Sequence, residues 1–397
     1  MSPARIRSAM ARLSRNQRRA WLAVALLWVV VGPKGCSYAT FRPAHVAVSH
    51  PEVREDLTAR GRYLALRVAD LTTGEMPWYL PDQFKGEWLA VTYSMTAMAM
   101  ANLAFLYPDR IGEARETIDR LALAMLGDDV RSFDAALWNE DALSSLDGPN
   151  GHIGYLGHLE VVLLAQQYVG GSSEHAKLSR DVALALHRRM MASPSLHAET
   201  YPGQTFVADN TVVVACLALA QRLYPDDRMD LSEAWVGRVQ KDYLDPSTGL
   251  MVFRIAGDGT VIEASRGSGV AWGVFYLSYA SRTFAEQQHR QLQAMMGSRV
   301  LGGVHGIREY PNGDERSGDV DSGPLVLGLS PSGTGFAIAG AALAGDDVGK
   351  LELLRTAELV GTTLGTGAGR RYVLSPLVGD AIVLAMRTVT PWNTPLR

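Results

Sequence analysis

The chain has 397 residues, 47% of them hydrophobic and 20% charged, the balance of an ordinary globular protein rather than a disordered or polytopic one. Its net charge is −3, yet residues 1–39 hold six Arg and one Lys with no acid, so the remainder is more acidic than the total suggests. An acidic body argues against a nucleic-acid partner, which needs a basic face.

Residues 1–39 read as an address. RIRSAMARLSRNQRRA is a basic n-region, WLAVALLWVVVG is an apolar run of twelve residues, and Ser37 and Ala39 take the small-residue positions of a cleavage site. Twelve residues fall short of the roughly twenty that a spanning helix needs. The stretch therefore predicts a secretory signal, with an uncleaved membrane tether through residues 20–33 as the alternative. Either one exports the body to the periplasm or the exterior. KGCS around Cys36 is a poor lipid-attachment box. Cleavage after Ala39 leaves Cys216 as the lone cysteine, with no intrachain disulfide and no zinc spacing.

Beyond residue 50 the hydrophobic pattern repeats as pairs of helices, one amphipathic and one apolar on every face. The amphipathic members are predicted at 53–70, 114–126, 175–191, 228–244, 283–296 and 350–362. The apolar members are WLAVTYSMTAMAMANLAFLY (88–107), IGYLGHLEVVLLAQQY (153–168), TVVVACLALAQRLY (211–224), SGVAWGVFYLSYA (268–280), SGTGFAIAGAALA (332–344) and SPLVGDAIVLAMR (375–387). Six helices with no solvent face pack most economically as a closed ring inside the others. The expected fold is an all-α (α/α)6 barrel, one domain over 40–397. Apolar runs at 249–255, 261–265 and 323–329 predict short strands at the barrel mouth.

In such a ring, the polar residues just before each apolar helix meet at one end. They are Glu87 and Trp88; Asn150 and His152, with His158 inside the second helix; Gln204, Asp209 and Asn210; Arg266 and Ser268; and Asp319, Asp321 and Ser322. Carboxyls sharing one cleft push each other's pKa values apart, which supplies an acid and a base. Each residue also has a plain structural role. Asp209 or Asn210 caps a helix beginning at Thr211. Tyr93 and His158 fill an apolar core, and GDVDSGP forms a turn whose side chains bond backbone. Glu87 pairs with a neighbouring cation, and Trp78, Trp88 and Trp272 pack. There is no GxSxG elbow, phosphate loop, HExxH or helix-opening GxGxxG, so no cofactor or metal is expected.

TYSMTAMAMANLAFLYP, GYLGHLEVVLLAQQYVGG, YPGQTFVADN, AWVGRVQKDYLDPSTG and AWGVFYLSYASRTFAEQ, spread over roughly residues 86–290, resemble the linalool dehydratase/isomerase family. The resemblance implies an exported, cofactor-free (α/α)6 barrel assembled as a ring of subunits. It implies addition and removal of water on a small monoterpene alcohol held in an apolar pocket. It further implies a pocket Tyr at Tyr93 and a pocket His at His158. The family's pair of pocket cysteines falls on Thr200 and Asp209, and a further pocket Tyr falls on Ser268. Its acid/base Asp has only Glu87 or Asp82 as positional counterparts.

The leading expectation is a lyase/isomerase of that kind, in which Glu87 or Asp209 donates a proton and Tyr93 and His158 orient the hydroxyl. The alternative is a glycoside hydrolase, with Asp209 and Asp319 or Asp321 as its carboxylate pair and tryptophans as the sugar platform. A third reading is an exported small-molecule or sugar binding protein. In each, Trp88, Thr200, Asn210, Arg266, Ser268 and Trp272 are the expected substrate contacts.

Overall fold

The computed structural model describes Gly35 and residues 41–396, apart from 77–80, 302 and 312–315. The leader with its predicted tether, and Trp78, lie outside the described residues. In chain order the first helices are α1 (Pro51–Arg67), α2 (Asp82–Leu106), α3 (Ile111–Met125), α4 (Asp128–Trp138), α5 (Ile153–Tyr168), α6 (Ala176–Ala192) and α7 (Val207–Leu223). There follow α8 (Ser232–Asp242), α9 (Gly267–Leu277), α10 (Arg282–Met296), α11 (Pro331–Leu343), α12 (Asp347–Gly361) and α13 (Leu377–Arg387).

The helices that are apolar all round pack side by side in a closed cycle: α2 on α5, α5 on α7, α7 on α9, α9 on α11, α11 on α13, and α13 back on α2. Nearly every residue of α5 and α7 is buried. The amphipathic helices lie in the outer grooves, α3 across α2 and α5, α6 across α5 and α7, α10 across α9 and α11, and α1 across α13 and α2. The expected (α/α)6 barrel is the observed one. Phe84–Leu106 is long and apolar enough to cross a membrane, but it is a ring member buried inside the protein.

Two devices close the ring. Arg60 of α1, 3% exposed, donates to Glu358 of α12 (3.2 Å) and to Thr363 (2.6 Å), with its guanidinium 4.1 Å from the Tyr372 ring. Asp56, one turn earlier, accepts from Arg387 of α13 at 2.6 Å. At the C-terminal ends of the inner helices, Trp392 is fully buried against Phe105, Tyr168 and Tyr279, and its Nε1 donates to Asn102 at 2.8 Å. That plug seals one end and leaves the N-terminal end as the mouth.

Three small sheets interrupt the helices: β1 (Thr205–Phe206), β2 (Arg254–Ile255) and β3 (Val261–Glu263) in that order, and the hairpins β4–β5 (Gly297–Val300, Val304–Ile307) and β6–β7 (Thr363–Thr366, Gly369–Tyr372). The strand expected over 323–329 is absent. That segment folds back on itself through a Val326–Leu329 bridge, with Leu327 at φ 53°.

Trp392→Ala should remove the plug and lower stability by about 3–5 kcal/mol, the usual cost of deleting a large buried aromatic. Urea unfolding followed by circular dichroism measures it; a midpoint equal to wild type would mean that the tail does not seal the barrel.

Candidate active site at the barrel mouth

The stretch YPGQTFVADN does not precede a helix; it turns into one. β1 runs straight into α7, which starts at Val207 rather than Thr211. Its N-cap is Phe206, with no side-chain cap, and the Val207 N–H is taken by the Phe253 carbonyl at 3.0 Å. Asp209 and Asn210 therefore stand in the first turn, and neither one caps the helix. Asn210 is fully buried and clamps the 198 segment, accepting from the Ala198 N–H (2.9 Å) and donating to the Ala198 and Phe206 carbonyls (3.0 and 2.9 Å). It holds a loop rather than a substrate. Asp209 is half-buried, and one of its oxygens accepts from Thr200 Oγ1 at 2.9 Å. Thr200 is itself fully buried and acts as a prop for Asp209.

Glu87 on the first turns of α2 faces the same space. Tyr201 donates a hydrogen bond to it, and the charges of Asp321 and Asp209 lie near. Loss of solvent, then those two charges, push the Glu87 carboxyl up to about 8 against the Tyr201 bond. Burial lifts Asp209 to about 6, opposed by Thr200. Burial, then the charges of Asp319 and Asp209, lift Asp321 to about 7. Burial and mutual charge thus spread the midpoints of the three carboxyls apart.

Asp319, the fourth candidate, is not one of this set. Its Oδ1 accepts the N–H groups of Asp321 (3.0 Å) and Ser322 (3.1 Å), and its Oδ2 meets Arg266 at 2.7 Å. Burial works against its ionisation, but the Arg266 bond and charge and the Ser322 and Asp321 N–H groups together outweigh it and hold the carboxyl below its usual range. Asp319 is the bracket that presents Asp321. Arg266 is 3% exposed and bonds fully buried Glu309 through Nε at 2.6 Å, with Phe253 beneath its guanidinium at 4.2 Å. Ser268 also donates to Glu309, through its hydroxyl (2.7 Å) and its N–H (3.1 Å). Arg266 and Ser268, expected as substrate contacts, thus form the frame of the mouth.

Deeper along the axis lies an aromatic floor. His158 Nδ1 is 2.8 Å from Ser94 Oγ, and its ring meets Trp272 edge-on at 5.5 Å. Burial lowers the His158 pKa to about 4, so the ring is neutral. Trp272 packs on Tyr276 (5.2 Å) and Phe336 (5.1 Å). The indole N–H groups of Trp88 and Trp272 and the Arg266 Nη2 are buried without a hydrogen-bond partner. Cys216 is fully buried with its thiol toward the Gly157 carbonyl at 3.7 Å. Tyr93 is a correction. Its hydroxyl donates to the Leu71 carbonyl at 2.6 Å, and the charges that reach it are those of Asp129 and Glu75, not of the mouth. It pins the segment after α1.

Tyr201 and Glu309 belong to the site and were not anticipated. Tyr201 stands in the same stretch as Asp209, immediately before Pro202-Gly203, where it looks like a turn aromatic. Glu309 is far from Arg266 in sequence, and nothing local marks the pair. Among the described residues, no group of three His, Cys, Asp or Glu side chains is arranged to hold a metal ion.

No family model matches the sequence. Among solved structures, an unsaturated glucuronyl hydrolase from Bacillus sp. GL1, responsible for the degradation of glycosaminoglycan, superposes with a TM-score of 0.51 at 15% identity, covering 84% of this chain and 94% of its own. An unsaturated glucuronyl hydrolase specific for heparin gives 0.50 at 11% identity, covering 83% and 94%. At these identities the likeness is one of fold.

The raised carboxyls make stability depend on pH with a definite sign. Their ordinary values are 4.5 for Glu87 and 3.8 for Asp209 and Asp321. Between those values and about 8 the folded chain binds more protons than the unfolded one, so this cluster's contribution to stability falls as pH rises. Glu87→Gln should flatten the fall above about pH 6, measured by urea unfolding across pH. An unchanged slope would mean that Glu87 titrates normally.

Proposed function

We propose that the protein is a glycoside hydrolase of the (α/α)6 barrel type. The observation that carries this reading is the three-carboxyl cluster of Glu87, Asp209 and Asp321 with separated midpoints. Near neutral pH Glu87, at about 8, keeps its proton, while Asp209, at about 6, is ionised. Protonated Glu87 then gives its proton to the glycosidic oxygen as the bond to the anomeric carbon breaks. Ionised Asp209 supports the developing positive charge and either attacks that carbon or takes a proton from an attacking water. Asp321 works through its charge, which keeps the proton on Glu87. Trp88 and Trp272 offer the faces and N–H groups that sugar rings and hydroxyls use. The fold shared with the two hydrolases above supports the same reading. A neutral sugar suits this mouth better than the glucuronyl group in their names, because Arg266 is already offset by Glu309 and Asp319.

A panel of neutral aryl and natural glycosides tests it. Hydrolysis should be greatest between about pH 6 and 8, where Asp209 is ionised and Glu87 protonated. Asp209→Asn should lose about a hundredfold or more on every substrate. Glu87→Gln should lose as much on natural glycosides, but less on aryl glycosides, whose leaving groups need little help from an acid. Cys216→Ser should stay close to wild type. Full activity in both carboxyl variants would overturn the assignment.

A second reading has its own support in the floor of Trp272, Tyr276 and Phe336 around a neutral His158. There the same acid would protonate an allylic hydroxyl, and the same base would manage the water that leaves. Dehydration products from a monoterpene alcohol, detected by gas chromatography where the glycosides fail, would favour it.

A further inference from the structure

His152 precedes α5 and is fully buried, with its backbone in the left-handed region at φ 51°. A histidine there is strained, and such strain persists only where the surroundings hold it. What holds it is visible on every side. Nδ1 lies 2.6 Å from Asp134 Oδ2 on α4, and Nε2 lies 3.0 Å from Glu140 Oε1 on the loop that follows. The Trp138 ring lies tilted against it, with the ring centroids 4.7 Å apart. Asn150 donates to the same Glu140 oxygen at 2.6 Å, and Arg189 of α6 donates to the Gly151 carbonyl at 3.1 Å. Both imidazole nitrogens thus have a carboxyl oxygen within hydrogen-bond reach.

The segment that His152 pins is the bed of the candidate site. Gly151 lies so close to residue 199 that a Cβ on it would sit 1.9 Å from the Glu199 carbonyl oxygen. The Ile153 N–H donates to that same carbonyl at 3.3 Å. A Cβ on Gly154 would lie 3.3 Å from the Tyr201 ring and 3.4 Å from Thr200. Thr200 and Tyr201 are the residues that hydrogen-bond Asp209 and Glu87. We propose that His152, bridged between Asp134 and Glu140, is a positioning residue that sets the environment of Glu87 and Asp209 through the backbone of residues 199–201.

This rests on the reading of Glu87 and Asp209 as the working pair, but its test needs no substrate and so stands apart from the failure of any glycoside to react. The Glu87 titration is followed by 13C NMR of labelled glutamate side chains, assigned by its loss in Glu87→Gln. His152→Asn keeps a residue that tolerates the left-handed region and cannot span both carboxylates. It should let water reach Glu87 and lower its midpoint from about 8 by about one pH unit or more, a tenfold change in acid population. Glu140 is partly exposed, so Glu140→Ala should fold even if His152→Asn does not, and should move the midpoint the same way. Glu140→Gln keeps an acceptor for Nε2 and should restore it. A Glu87 midpoint unchanged in folded His152→Asn, or in Glu140→Ala, overturns the proposal.

Discussion

Six helices without a polar face cannot each be covered by a flat layer. Each needs apolar neighbours on two sides and an amphipathic helix behind, and a closed ring supplies all three at once. That constraint fixes more than the fold. It aligns α2, α5, α7, α9 and α11 with their N-terminal ends at one mouth, so that Glu87, Asp209 and Asp321 are brought together from distant parts of the chain. The positive ends of the helix dipoles at that mouth offset part of the repulsion among the acids. Closure in turn depends on polar contacts where the chain ends meet, since Arg60 and Asp56 join α1 to α12 and α13.

The ring was legible because most inner helices are long runs without a polar face, while most outer helices carry an apolar stripe of period 3.6 against a clear polar face. The inner helices appear close to their predicted spans, with α5 at the predicted 153–168. The exceptions have local causes. α7 begins at Val207 because β1 pairs with β2 and delivers the chain already turned. The segment 323–329 has the composition of a strand, but only its end pairs, Leu329 with Arg308; the rest folds back through the Val326–Leu329 bridge.

The site was legible as a neighbourhood and not as a set of roles. Asp319 and Asp321 are equivalent in sequence; the contact with Arg266 and the N–H groups of Asp321 and Ser322 make Asp319 a bracket and leave Asp321 at the mouth. Tyr93 and His158 both lie on helices that are apolar all round, and no pattern tells which face meets the axis. His158 meets Ser94 and Trp272, while Tyr93 meets Leu71. Thr200, Ser268 and Asn210 were anticipated as contacts to a ligand. Their hydrogen bonds instead go to Asp209, to Glu309 and to the Ala198 backbone. The polar residues of the mouth thus form two layers, a buried frame and the few carboxyls that it holds.

Acid–base chemistry at the mouth depends on one physical state, a carboxyl that remains protonated at neutral pH beside one that does not. Difference infrared spectroscopy reads this directly through the carbonyl stretch of a protonated acid. Such a band is expected at pH 7 in the wild-type protein, fading as pH rises through about 8 and weakened in Glu87→Gln. A spectrum at pH 7 with no protonated-carboxyl band, or a band indifferent to that substitution, would contradict it.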